Sequence, residues 1–230
     1  MSMLCRAGNR LLLVAGLFLA LAAHAQQNLL EGFSKLPEGA RVVLMPMDVE
    51  LFSISGGGVL EPQAEWTENA LKHLKTAYYA KKQDLKADLS EMSDEPDEAI
   101  DDLNRLHGAV GTAINMHHLG ILKLPTKDSK LDWTLGDSVS AVKQKTKADY
   151  ALFTFVRDSY ASGERVAAML LAAAFGVGLG GGVQTGYASL VDLSNGRVVW
   201  FNRLLRATGD LREADKARES LDSLLKNFPG

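Results

Sequence analysis

Apolar and polar positions alternate along this chain with two different periods, and the switches between them outline the elements. Arg41 to Asp48 (RVVLMPMD) is an apolar, β-branched run that predicts a strand, with Pro46 keeping one end from being a fully paired central position. Ser55-Gly56-Gly57-Gly58 reads as a flexible connection, and Glu61-Pro62 as the opening of a helix, since proline is tolerated in a first helical turn. Trp66, Ala70, Leu71, Leu74, Tyr78, Leu85 and Leu89 then keep helical spacing, with charged residues opposite, until Ser93 to Pro96 breaks the pattern.

A second helix is expected over Asp97 to His118, with Ile100, Leu103, Leu106, Val110 and Ile114 as its apolar stripe. After a loop from Leu124 to Asp132, Asp137 or Ser138 can cap a short helix carrying Val139 and Val142. Tyr150 to Val156 (YALFTFV) is apolar on both faces, the mark of a buried strand. Tyr187 to Leu193 and Arg197 to Leu205 flank Asn195-Gly196, a strong hairpin signal. A last helix follows, with Ala214, Ala217, Leu221, Leu224, Leu225 and Phe228 on its buried side. The order β-α-α-α-β-(insert)-β-β-α predicts an α/β fold leaning to α+β. Its small mixed sheet has about four strands, ends in a β-hairpin, is covered by helices, and has a parallel, right-handed first crossover.

The N-terminus is set apart from this domain. Arg6 and Arg10 precede the apolar run Leu11 to Ala22, and Ala23-His24-Ala25 gives a small-x-small pattern before Gln26. That order predicts a secretory signal peptide over residues 1–25, cut between Ala25 and Gln26, and one α/β domain over 26–230. An apolar core of about a dozen residues is short for a membrane span. Cys5, the only cysteine, lies upstream of the apolar core, so no lipid is expected at the cleavage point and the exported form has no thiol. That excludes disulfides, thiolate nucleophiles and cysteine-metal sites. Loss of Arg6 and Arg10 leaves 23 basic against 28 acidic residues, a net charge of −5. No basic stripe suits a phosphate backbone, so no nucleic-acid partner is expected.

The residues with apparent chemistry resolve mostly into structure. Gly176, Gly178 and Gly181 satisfy G-x-G-x-x-G, but a dinucleotide loop lies between a strand and the following helix. Here the helix-forming Arg165 to Phe175 comes first and a strand follows, so no cofactor is expected. His107 and His118 are eleven positions apart, about 16 Å along a helix, and His117 and His118 diverge by about 100°, so no metal site is expected. Asp158 and Ser159 after the buried strand leave one catalytic alternative, a periplasmic hydrolase with a histidine base. There is no G-x-S-x-G elbow, and Asp-Ser is also ordinary turn chemistry. Non-enzymatic function is the leading expectation.

The insert at about 164–183 remains. Val166 to Val183 carries no charge, and glycine and alanine supply much of it. An apolar helix over Arg165 to Phe175, an irregular Gly176 to Gly182 and a strand from Val183 are predicted. The helix either packs on the sheet or stays exposed as a docking surface for a partner or lipid. The candidate contacts are Met169, Leu170, Phe175 and Leu179, with peripheral membrane contact through 165–183 as one form of that docking.

Two stretches carry a resemblance: ADYALFTFV, and GYASLVDLSNGRVVWFN with its D-x-x-[TN]-G-x-x-x-W hairpin. Together with LEPQAEWTENA and VRDSYASGERVAA, they resemble an uncharacterised family of exported bacterial envelope proteins. The wider group includes the curli-secretion-channel family, periplasmic lipoproteins that help assemble envelope machinery, and the amino-terminal domain of TolB. The likeness is most specific over residues 148–205 and weaker over 41–70. It implies a small sheet covered by helices, a periplasmic location, other envelope proteins as partners, and an assembly role without catalysis. Pore formation does not carry over, because the alternating amphipathic strands of the channel members are absent.

Overall fold

The computed structural model describes residues 28–230 apart from 86, 94 and 96; the signal peptide and its cleavage point at Ala25 and Gln26 lie outside them. The fold is α/β, and its centre is one long strand, β5 (Tyr150–Ala161), longer by five residues than its apolar run. Two strands lie end to end along one side of it, both parallel: β1 (Arg41–Leu44) and β2 (Asp48–Ile54). Leu44 is in register with Leu152 and Asp48 with Phe155, so Met45, Pro46 and Met47 pass opposite only Phe153 and Thr154. Pro46 cannot donate to the ladder, and the expected single strand breaks there into a bulge.

The expected sheet of about four strands is corrected to seven. Besides that break, two short strands extend the edges. β3 (Leu60–Pro62) folds back antiparallel on β2, and β4 (Asp88–Glu91) runs parallel to β1. The sequence predicts helix in both places, from the proline at Glu61-Pro62 and from the spacing of Leu89. Gly58, at φ +90°, closes the tight β2–β3 turn, and the Gln63 N–H donates to Leu51 O, so Glu61-Pro62 pairs before the helix starts. Leu89 keeps helical spacing with Leu85, but the parallel ladder on β1 takes it. On the other side of β5, β6 (Gln184–Asp192) and β7 (Val198–Arg206) form the expected hairpin.

Helices cover both faces. α1 (Ala64–Lys81) and α5 (Ala214–Leu224) lie over Leu51, Leu152, Val156, Leu190 and Trp200. α2 (Glu98–His117) and α3 (Ser140–Thr146) cover Val43, Phe153, Tyr187 and Phe201 on the opposite face. The N-cap of α2 is Asp97, whose carboxylate accepts from the Ala99 and Ile100 N–H groups. The remaining α-helix, α4 (Gly163–Ala174), belongs to neither core.

Candidate interaction site

β5 and β6 are direct antiparallel neighbours, so the 22 residues between Ala161 and Gln184 leave the sheet and return to it side by side. α4 is the outward limb of this arm. Ser162 caps it, its hydroxyl accepting from the Arg165 N–H at 3.1 Å. The helix stops at Gly176, which has φ +75°. There the Val177 N–H donates to Ala172 O at 2.9 Å and the Gly176 N–H to Ala173 O at 3.0 Å, the double bond pattern of a glycine C-cap. The first glycine of G-x-G-x-x-G is therefore a helix stop.

The return limb runs back along the first two turns of α4. Arg165 Nε donates to Gly180 O, and Met169 lies against Gly181. Gly182 crosses Ser159 so closely that a Cβ there would sit 2.0 Å from Ser159 O. The ladder then resumes, with Ser159 N–H on Val183 O, and Gln184 enters β6. At its base the arm meets the β2–β3 turn, where Glu164 and Arg165 lie next to Gly56 and Gly58.

Beyond that base, α4 has no buried residue at all. Leu170 is 70% exposed, Leu171 67% and Phe175 85%. Met169 and Leu179 are half-buried, within the arm. Of the two outcomes open from the sequence, packing on the sheet is the one the structure does not adopt: both limbs attach at adjacent strand ends and project past the sheet. No helix among the described residues is long and apolar enough to cross a membrane.

The residues of the hydrolase alternative are separated. Asp158 and Ser159 are consecutive in β5 and point to opposite faces. The Ser159 hydroxyl is held by the backbone of Val183, donating to its oxygen at 3.1 Å and accepting from its N–H at 3.0 Å. Asp158 is buried and accepts from Tyr160 Oη and from Gln184 Nε2, the latter at 2.7 Å. Burial pushes its carboxyl above the usual range, while these hydrogen bonds pull the other way. Gln184 Oε1 in turn accepts from the Ser220 hydroxyl, and Tyr160 Oη accepts from the Leu211 N–H. The network fastens the approach to α5 onto the sheet.

The histidines are likewise taken up by structure. His107 Nε2 lies 2.6 Å from Ser189 Oγ, with its ring stacked on Phe153, and burial lowers its pKa to about 3. His117 Nδ1 faces Leu122 O at 2.7 Å. The described residues contain no group of three or more side chains able to hold a metal ion. The hairpin motif is structural too: Asp192 accepts from Ser194 N–H and Asn195 Nδ2, and Trp200 is fully buried against Phe228.

The chain matches no protein-family model and no curated protein. Among solved structures it is similar to the PelC dodecamer from Paraburkholderia phytofirmans, at 14% identity and a TM-score of 0.40, over 86% of this chain and 94% of that one. It is also similar to the LpoB C-terminal domain from Salmonella enterica, at 11% identity and 0.30, over 77% and 87%. A third is lipoprotein GNA1162 from Neisseria meningitidis, at 12% identity and 0.29, over 74% and 81%.

Proposed function

We propose that the protein is an exported, non-catalytic component of the bacterial cell envelope. It works in the periplasm after cleavage between Ala25 and Gln26, without a lipid anchor, and binds other envelope proteins through the α4 arm. The observation that carries this reading is a twelve-residue apolar helix without one buried side chain. Burying a leucine or phenylalanine side chain is worth about 1.5–3 kcal/mol, so Leu170, Leu171 and Phe175 together hold back a large gain that only a second surface can collect. Their clustering at the free end of one arm distinguishes them from scattered surface apolars. The export signal and the resemblance of the β6–β7 hairpin to envelope proteins support the compartment.

A second reading, peripheral contact of 165–183 with a lipid surface, is favoured by one observation: no charged side chain lies between Val166 and Val183. Leu170→Asp tests the arm in either form. The variant is expected to melt within about 1 °C of the parent, because Leu170 supports no core, and to lose its complex on size-exclusion chromatography of detergent-free envelope extracts. Loss of flotation with liposomes instead of loss of the protein complex would transfer the arm to lipid. A melting temperature lowered by several degrees would place Leu170 in a core and overturn both.

A further inference from the structure

The outer edge of β7 carries a second interaction surface, independent of the arm. Its first half is covered by the chain itself. The Val198 N–H donates to Trp133 O, the Leu30 N–H to Val199 O, and the Phe201 N–H to Asn28 O. Residues of an antiparallel strand bond their two neighbours in alternation, so Arg203 and Leu205, like Val199 and Phe201, direct N–H and C=O outward. Among the described residues, nothing bonds the outward groups of Arg203 and Leu205. The open stretch is therefore Asn202 to Arg206. Asn28 is seated at one end of it, and at the other the chain bends away at Ala207 and Thr208.

Apolar side chains gather at this edge. Leu205 is 63% exposed although it lies in a strand. It shares a face of the sheet with Arg203, since Thr185 and Tyr187 are their partners on β6. α2 crosses that face strand by strand. Gly108 lies beside Phe155 of β5, Gly111 against Tyr187 of β6, and Asn115 Oδ1 accepts from Arg203 Nη1 of β7 at 3.5 Å. The crossing brings the end of α2 to the open edge, with exposed Ile121 and Leu122 in the loop just after it. That loop folds back on the helix, His117 Nδ1 donating to Leu122 O.

We propose that a second copy of the chain pairs here, β7 against β7, antiparallel about a two-fold axis through Leu204. The limits of the open stretch select both occupant and register. A longer strand would run into Asn28, whereas the chain itself supplies a segment that is open over the same residues and stops at the same two ends. Sliding the register one way needs the Phe201 groups that Asn28 holds, and sets Arg203 against Arg203, like charges directly opposite. Sliding it the other way needs Ala207, where the strand has ended. The register that remains puts Arg203 opposite Leu205, Leu204 opposite Leu204, and Asn202 opposite Arg206. No like charges face each other. Arg203 and Leu205 exchange both main-chain bonds, and the arginine stem lies along the exposed leucine. A two-fold pair uses the same patch on both subunits, which a stretch that matches itself end for end satisfies. The axis stands perpendicular to the sheet, so both α2 helices stay on one face and each copy's Ile121 and Leu122 approach the other.

The test uses the exported protein, ¹⁵N-labelled. Sedimentation equilibrium is expected to show a monomer–dimer equilibrium between micromolar and millimolar protein. Over the same range, exchange of the Arg203 and Leu205 amide protons is expected to slow at least tenfold. Leu205→Lys sets an ammonium against Arg203 of the other copy, and Leu205→Glu sets a carboxylate there. The side chain is exposed in the monomer, so both variants keep the fold, and Leu205→Glu is expected to dimerise at least tenfold more tightly than Leu205→Lys. Three results would overturn the proposal. One is a monomer throughout the range; another is equal dimerisation of the two variants. The third is protection of the two amides that does not change with concentration and is lost on deleting Gln26 and Gln27, which would assign the edge to the chain's own N-terminus.

Discussion

Single residues here carry structural work that their types alone do not announce. Gly111 sits in the middle of α2, where alanine would ordinarily stabilise a helix by about 1 kcal/mol. A Cβ at this position, however, would lie 2.1 Å from the Tyr187 ring, whose hydroxyl donates to Gly108 O at 2.6 Å. The ring is fixed at both ends, so Gly111→Ala is expected to destabilise the protein by about 1–3 kcal/mol in urea unfolding, overpacking outweighing propensity. His107 makes the pH dependence specific. Its pKa is about 3 in the fold against 6.5 unfolded, so the unfolded chain binds the extra proton between those values. Stability is therefore lost as pH falls through that window, by up to about 1.4 kcal/mol per pH unit where the difference is a whole proton. In His107→Gln that component of the slope disappears, even though the variant starts less stable at pH 7; equilibrium unfolding at pH 4 to 7 reads it. Neither contact was legible in the sequence. His107 falls within the predicted second helix, but its partner Ser189 is 82 positions away.

At the scale of elements, legibility followed how local the determining interactions are. The β6–β7 hairpin, α2 and the glycine stop after α4 each depend on a turn or cap within a few residues, and each formed where expected. α1 formed too, but it is shorter than expected at both ends. Leu60–Pro62 and Asp88–Glu91 are strands because β2 and β1 offer them ladders, and no residue inside either segment announces that. β5 runs on through Arg157-Asp158-Ser159-Tyr160 for the same reason: Gln184, brought alongside by β6, satisfies the Asp158 carboxylate that reads as turn chemistry in isolation. α4 poses the converse case, an element legible as a helix whose packing was not. Twelve residues without tertiary cover are marginal for a helix in water. Its amides in the purified protein are expected to exchange at least a hundredfold faster than those of α2 Ile100 to Ile114, and to slow when the native complex is present. Equal protection of α4 and α2 in the purified monomer would show that the arm is already covered.

The whole molecule is a sheet with its two faces closed by helices and one arm left uncovered. α1 and α5 close one face, α2 and α3 the other, and both cores are continuous through β5. What stays open is the arm between β5 and β6, whose helix has no buried residue. The α/β class and the uncharged arm were readable from periodicity and charge. That the insert stands clear of the domain was not, because it depends on β5 and β6 being neighbours. The central claim is that this arm meets another envelope protein, and photo-crosslinking in intact cells tests it most directly. With a benzophenone side chain at Phe175, the account predicts a discrete protein adduct in the envelope fraction and none from the same probe at Arg105 on the outer side of α2. Crosslinking from Arg105 alone, or no adduct from Phe175 in cells that export the protein, would contradict it.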